Sequence, residues 1–374
     1  MTLHDRTLLL ALAGSRAHGT HSPESDVDLL GVALPTARAL LGVHERFEQE
    51  NDPEALAVYR GVLPRQLAAA SQDTKLEGTV YALDKLLRLA ESGNPSVLEL
   101  LFTRESELLV QTELGARLRE SATLFLSERC RQTFGGYAAR QLSRIQLHHR
   151  WHHQGPERAP TRAEFGLPER ERVSSDALRA AESEVRKQLE SWEVDLTDLE
   201  PATRLSLQTQ LEQTLAQWKL ASEEARWEAA GRWIGVDTHL MELMKLERRW
   251  RSARGEWKRY QAWKRNRNPQ RAELEARFGY DTKHGAHLVR LMRMGQEILR
   301  EGTLHVWRGD RDADELLAIR GGAWSYERLL EWADQARQEL NGIEAVVPPK
   351  PDRQKVEDLC VGLTRAALDS GRLE

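Results

Sequence analysis

The sequence predicts an α/β (α+β) domain at its amino terminus followed by a large, mainly helical region, and three features carry that expectation. An apolar run at residues 8–13 stops at Gly14-Ser15, a short alternating stretch begins at Asp26, and beyond about residue 111 the hydrophobic period lengthens from two to about 3.6. The organisation read from these shifts is a first domain at 1–110 and a second at 111–374.

Residues 8–13, Leu-Leu-Leu-Ala-Leu-Ala, are too few to cross a bilayer and read as a buried strand ending in a turn. Glycine at 14 lets the backbone come close to a phosphate. A helix starting near Ser15 would aim its free N–H groups and positive dipole end at that anion, with the Ser15 hydroxyl as a further donor. Arg16, His18 and His21 lie in the same turn as candidate donors to a triphosphate. After Ser22-Pro23-Glu24 the chain resumes as Asp26-Val27-Asp28-Leu29, whose alternation places Asp26 and Asp28 on one strand face and Val27 and Leu29 on the other.

Residues 81–92 read as an amphipathic helix closed by Gly93-Asn94-Pro95. A second helix is expected from Ser96, with Glu99 completing a capping box and Val97, Leu98, Leu100 and Leu101 turned to a core. Further on, residues 182–192, 204–220 and 222–233 carry the helical period, and Gly155, Pro156, Pro160, Gly166 and Pro168 punctuate the stretch before them. No internal repeat is found.

The chain of 374 residues is 40% hydrophobic and 30% charged, with a mean hydropathy of −0.60, and reads as a soluble protein of two domains. No run approaches the roughly 18 apolar residues of a membrane span, so no membrane partner is expected, and no secretory leader is evident. Cys130 and Cys360 are too far apart for a disulfide framework or zinc knuckle, which points to the reducing cytoplasm.

The net charge of −4 conceals one intensely basic segment, residues 245–271, where eleven Lys and Arg face two Glu and Trp250, Trp257, Tyr260 and Trp263 are interleaved. Cations beside aromatics neutralise phosphates while stacking bases, which makes Arg248, Arg249, Arg251, Lys258, Arg259, Lys264 and Arg265 candidate RNA contacts. The competing reading is a solvated helix face with its aromatic stripe toward a core. Seven of the eleven tryptophans fall between Trp192 and Trp263, and helix packing is the expected role for most. His148, His149, His152 and His153 form two i, i+4 pairs. With no convergent thiol or carboxylate, and with Arg144, Arg150 and Trp151 alongside, they read as basic surface rather than a zinc site.

The chemistry rests on Asp26 and Asp28. Neighbouring carboxylates repel and raise each other's pKa, so the pair is stable only with a cation or proton between them. Magnesium, or manganese in its place, is the natural guest. Such an ion is hard, prefers oxygen, and keeps positions for substrate phosphates.

Gly14-Ser15, a spacer and Asp26-x-Asp28 on the next strand resemble the DNA polymerase beta nucleotidyltransferase superfamily. Tyr81-Ala82-Leu83-Asp84-Lys85, Gly93-Asn94-Pro95-Ser96, Tyr280-Asp281-Thr282-Lys283-His284-Gly285, Thr161-Arg162-Ala163-Glu164 and Leu317-Ala318-Ile319-Arg320-Gly321-Gly322 are similar to its bacterial RNA-repair-pathway polymerase-beta-like branch. The resemblance implies a nucleotidyltransferase fold with a small mixed sheet and a helical second domain. It also implies a third carboxylate four residues before Tyr81. Glu77 stands there, where the family usually has Asp, and Asp73 is the alternative. Lys283, His287 and Arg290 share a helical face, which the resemblance assigns either to triphosphate contact or to a seam between domains. Tyr137, Arg140, Gln141 and Arg144 look like a family segment lining the cleft.

The implied enzyme moves an NMP from an NTP to a hydroxyl acceptor, with Asp26, Asp28 and Glu77 as metal ligands and catalytic residues, and Gly14, Ser15, Arg16, His18, Lys283, His287 and Arg290 around the nucleotide. An RNA 3′ end is the expected acceptor. A protein hydroxyl, AMPylated by the same chemistry, and a non-catalytic nucleotide- or RNA-binding module are the alternatives.

Overall fold

The computed structural model describes residues 2–22, 25–70, 76–169, 238–267 and 269–371, with single positions at 176, 180, 183 and 235. Asp73 and, apart from position 183, the helices expected at 182–192, 204–220 and 222–233 lie outside the described residues. Packing divides the chain into one unit of Met1–His153 with Asn268–Glu374 and another of Gln154–Arg267.

The first unit is built on a five-stranded mixed sheet of β1 (Thr7–Leu12), β2 (Asp28–Ala33), β3 (Gln49–Glu50), β4 (Glu77–Ala82) and β5 (Leu108–Gln111), in the order β3-β4-β2-β1-β5. β1 runs antiparallel to β2 and β5, β3 antiparallel to β4, and β2 parallel to β4. The apolar run of β1 is buried throughout because both faces of the sheet are covered. Leu9 and Ala11 join the core under the helices, while Leu10 and Leu12 join a second core with Tyr59 and Val80 on the opposite face.

The helices that shape the site in this unit are α1 (Gly14–His18), α2 (Leu83–Glu91), α3 (Pro95–Phe102), α4 (Glu113–Glu120) and α5 (Arg129–Gln154). Two local expectations are corrected. The helix expected from Tyr81 starts at Leu83, because Tyr81 and Ala82 pair in parallel with Val32 and Ala33 and continue the sheet. The cap of α3 is Asn94, whose side-chain oxygen accepts from the Val97 N–H at 3.3 Å with Pro95 in the first turn. Ser96 is inside the helix, and Glu99 turns elsewhere.

Packing groups the chain differently from a cut at residue 110, which falls within β5. The reason is α7 (Thr282–Glu301), numbered here after α6 (Pro269–Phe278). Its Leu288, Val289, Leu291, Met292, Met294 and Ile298 share one core with Leu98, Phe125 and Phe134 from the amino-terminal part. Gly295 permits that approach, since a Cβ there would stand 2.9 Å from the Phe134 Cβ. Downstream, α8 (Ala313–Arg320), α9 (Tyr326–Gly342) and α10 (Arg353–Asp369) complete this unit.

Arg308, 1% exposed, is satisfied by carboxylates on two sides: Nη1 donates to Glu297 at 2.8 and 2.9 Å, and Nε and Nη2 donate to Asp312 at 2.6 and 2.9 Å. Its backbone N–H donates to the His18 carbonyl at 3.1 Å, which fixes the end of α1.

In the second unit the described part is dominated by a long helix, Thr238–Asn266, set against the segment around residues 160–168. Arg162 binds the buried Glu247 and lies over Trp250, whose indole N–H donates to the Pro160 carbonyl at 3.4 Å. No helix among the described residues is long and apolar enough to cross a membrane.

Candidate active site

The turn after β1 brings the first carboxylate into place. The Ala13 N–H donates to the Asp28 carbonyl at 2.8 Å, aligning the end of β1 with the start of β2. Gly14 then adopts φ +59°, and a Cβ at this position would lie 2.5 Å from Asp28 Oδ2. Conformation and close approach both demand glycine there. α1 begins at this point with no side-chain cap on its first N–H groups.

Across the parallel pair, Asp28 is the register partner of Glu77. Burial pushes the Asp28 carboxyl above the usual range, and the charges of Asp26 and Glu77 push it further, against the opposing pull of Lys283 and Arg16. A cleft of about 360 Å³ opens beside it, lined by Gly14, Ser15, Ser25, Asp26 and Asp28 on one side and by Lys283, His284, His287 and Arg290 on another. Residues 2–154 match the RNA repair pathway DNA polymerase beta family.

The match covers less than half of the chain. The chain is also 29% identical over 113 residues to an uncharacterized 38.9 kDa protein of the nrdC-mobD intergenic region in Enterobacteria phage T4, a match covering 29% of this chain and 29% of that protein. The chain thus spans less than a third of that curated relative's length. No solved structure matches the chain.

Within the matched segment the expected residues take distinct places. Ser15 and His18 line the cleft. Arg16 is nearly buried and donates to the carbonyls of Ser25 at 3.0 Å and Asp26 at 3.4 Å, so it holds the loop that carries Asp26. Glu77 is exposed and stands beside Asp28 without lining the cleft. Tyr137 takes a hydrogen bond from the Asn94 amide at 3.2 Å and lies under Arg140, away from the cleft lining. His148 meets Glu275 at 3.2 Å, while His149 bonds the Gly279 carbonyl and stacks on Tyr326 at 3.8 Å.

The opposite wall comes from beyond the matched segment. α7 presents Lys283 at the rim and His284, His287 and Arg290 along one face. Burial, with Arg290 next, holds His287 down to about 3, so its imidazole is neutral at ordinary pH. Burial, again with Arg290 next, also holds His18 below its usual value.

Sequence reasoning missed Glu99 and Arg320. Glu99 links His18 and Arg290, and Arg320 donates to the Thr20 carbonyl at 3.1 Å while lining the cleft. A signal for Glu99 did exist: it is the one charged residue in the otherwise apolar α3.

Among the described residues no three His, Cys, Asp or Glu side chains close on a single point as a ready-made metal site. The donor set suits magnesium nonetheless, because that ion is commonly held by one or two carboxylates with water and substrate phosphates supplying the rest. Asp26 and Asp28 would be those carboxylates.

In the long helix of the second unit, Arg248, Arg249, Lys258, Arg259, Lys264 and Arg265 are exposed and Arg251 is half-buried. Trp250 is buried, whereas Trp257, Tyr260 and Trp263 are half-buried, and Tyr260 stacks with Trp263 at 5.7 Å. Cations therefore face solvent and the aromatics lie mostly on the packed side.

Proposed function

We propose that the protein is a metal-dependent nucleotidyltransferase that moves a nucleoside monophosphate from an NTP to a hydroxyl, with an RNA 3′ end as acceptor. The observation that carries this reading is the placement of Asp28: pressed against Gly14, in register with Glu77, and sharing a cleft with Asp26. Two further carboxylates, Asp26 and Glu77, near the half-buried Asp28 favour a divalent cation over an empty pocket.

Asp26 and Asp28 would hold magnesium, which supplies charge neutralisation at the reacting phosphate. The chain's own residues orient the substrate. Ser15 and the uncapped N–H groups of α1 receive phosphate oxygens, Arg16 holds the Asp26 loop, and Lys283 puts a positive charge near Asp28. Glu77 would act through Asp28 or on the acceptor side. The exposed cations of the long helix give RNA phosphates a complementary surface.

NTPs labelled at the α-phosphate, incubated with RNA ending in a 3′ hydroxyl and with total protein, test this. Labelled RNA with pyrophosphate release is the expected result. Labelled protein without labelled RNA would point to AMPylation. Release of no pyrophosphate with any NTP would leave a nucleotide-binding module, a reading that the exposed position of Glu77 outside the cleft lining favours.

A further inference from the structure

The cleft has apolar walls as well as polar ones. Leu274 of α6, Ala286 of α7 and Leu316 of α8 line it together with Arg320, which follows Leu316 by one turn on the same face of α8. Arg320 is half-buried and fixed at both ends: its carbonyl accepts from the Thr282 hydroxyl at 2.7 Å, and its Nη1 donates to the Thr20 carbonyl at 3.1 Å. Thr20 lies past the carboxy-terminal end of α1, which spans five residues, so roughly 7.5 Å of helix separates that anchor from Gly14, against which Asp28 packs. A guanidinium carries five N–H donors in a planar fork and no acceptor. One bond to Thr20 therefore orients the plane and leaves donors for a ligand.

We propose that Leu274, Ala286, Leu316 and Arg320 form the nucleobase subsite of the cleft, and that Arg320 makes it select guanine over adenine. This inference rests on the nucleotidyl-transfer reading and names the nucleotide used. A base is flat and apolar on its faces and polar at its edge, which suits apolar walls closed by one directed group of donors. Guanine offers a guanidinium two neighbouring acceptors, O6 and N7, whereas adenine sets its N6 amino donor beside N7. Having only donors, Arg320 pairs twice with the first and meets a like group on the second. Because its anchor stands a helix length from Gly14, Arg320 is placed for the base and not for the phosphate held beside the paired acids.

Calorimetric titrations of the full chain with analogues of GTP, ATP, CTP and UTP that carry a methylene bridge between the α- and β-phosphates read base recognition without transfer, magnesium being present throughout. The guanine analogue is expected to bind at least about 5-fold more tightly than the adenine one, the factor that one good bidentate contact gives. Arg320→Lys keeps the charge but loses the fork, and should bring these two affinities together by a loss on the guanine side. Leu274→Ser should weaken the guanine analogue at least ~3-fold and leave binding of inorganic triphosphate as in wild type. Equal affinities in wild type, tighter binding of another base, or no binding of any analogue would overturn the proposal. A guanine preference retained in Arg320→Lys would do the same, and an equal fall for all four analogues would assign Arg320 to the phosphates and overturn it too. If Arg320→Lys does not fold, Leu274→Ser decides, and wild-type guanine affinity or a parallel loss of triphosphate binding overturns the subsite. NMP transfer by the wild-type chain is read separately: guanine preference without transfer would end the transferase reading and leave the subsite standing.

Discussion

Asp28 and Glu77 sit side by side at the start of the parallel strands β2 and β4, and the charge of Glu77 raises the cost of ionising Asp28. Parallel register partners project from the same face, so the charge of Glu77 acts on Asp28 whether or not both touch one ion. Asp28→Ala is expected to reduce pyrophosphate release at least ~100-fold, and Glu77→Gln to reduce it less. Wild-type release by Glu77→Gln would make Glu77 a surface acid and leave the third carboxylate to be found elsewhere.

Gly14→Ala should impair both folding and activity. A left-handed φ costs a residue with a Cβ about 1–2 kcal/mol, and here that Cβ would also displace the Asp28 carboxylate. Thermal unfolding reads the first effect and NMP transfer the second. A variant with lowered stability and full transfer would show that the Asp28 position is not critical.

Arg308→Met should destabilise the first unit by about 3–5 kcal/mol, because Glu297 and Asp312 would be left without their buried cation. A urea unfolding series measures it. A loss below ~1 kcal/mol would mean that Arg293 and Arg311, which already touch Asp312 and Glu297, take over the charge.

Acid should weaken the fold through the cleft histidines. In the unfolded chain His287 titrates near 6.5, whereas in the fold burial holds it to about 3. Between those values the unfolded state binds more protons, so stability falls as pH drops, by at most about 1.4 kcal/mol per pH unit for this one group. His18 adds in the same direction. Glu99, held low by Arg290 and His18 against its burial, contributes stability that is present above its ordinary 4.5 and lost as pH falls below it. Urea midpoints from pH 7 to pH 4 should therefore decline, and His287→Gln should flatten the upper part of that slope. An equal slope in the variant would place the proton uptake elsewhere.

RNA binding, if it uses the long helix, should be strongly salt dependent. Replacing Arg248, Arg249, Lys258 and Arg259 by Gln removes four exposed cations. The slope of log affinity against log salt should then shallow by up to roughly 0.7 for each phosphate of a single strand that is no longer neutralised. Unchanged affinity and slope would assign the helix to packing alone.

The sequence by itself determined what is local. The run into β1 and the glycine turn each need only neighbouring residues to specify a strand and a bend, and the small sheet followed by helices stands as expected, whereas Asp26, expected on a strand face with Asp28, precedes β2 in a loop that Arg16 holds. Local competition defeated two finer readings, since Asn94 outcompeted Ser96 as the cap of α3 and sheet pairing kept Tyr81 out of α2. Only the tertiary structure decided that Glu99 joins His18 and Arg290, partners 81 and 191 residues away, and that α7 completes the core of the amino-terminal part. A hydrophobic period tells a helix which face to bury but not against what, and a charge in an apolar helix finds its partner only once folding has brought distant segments together.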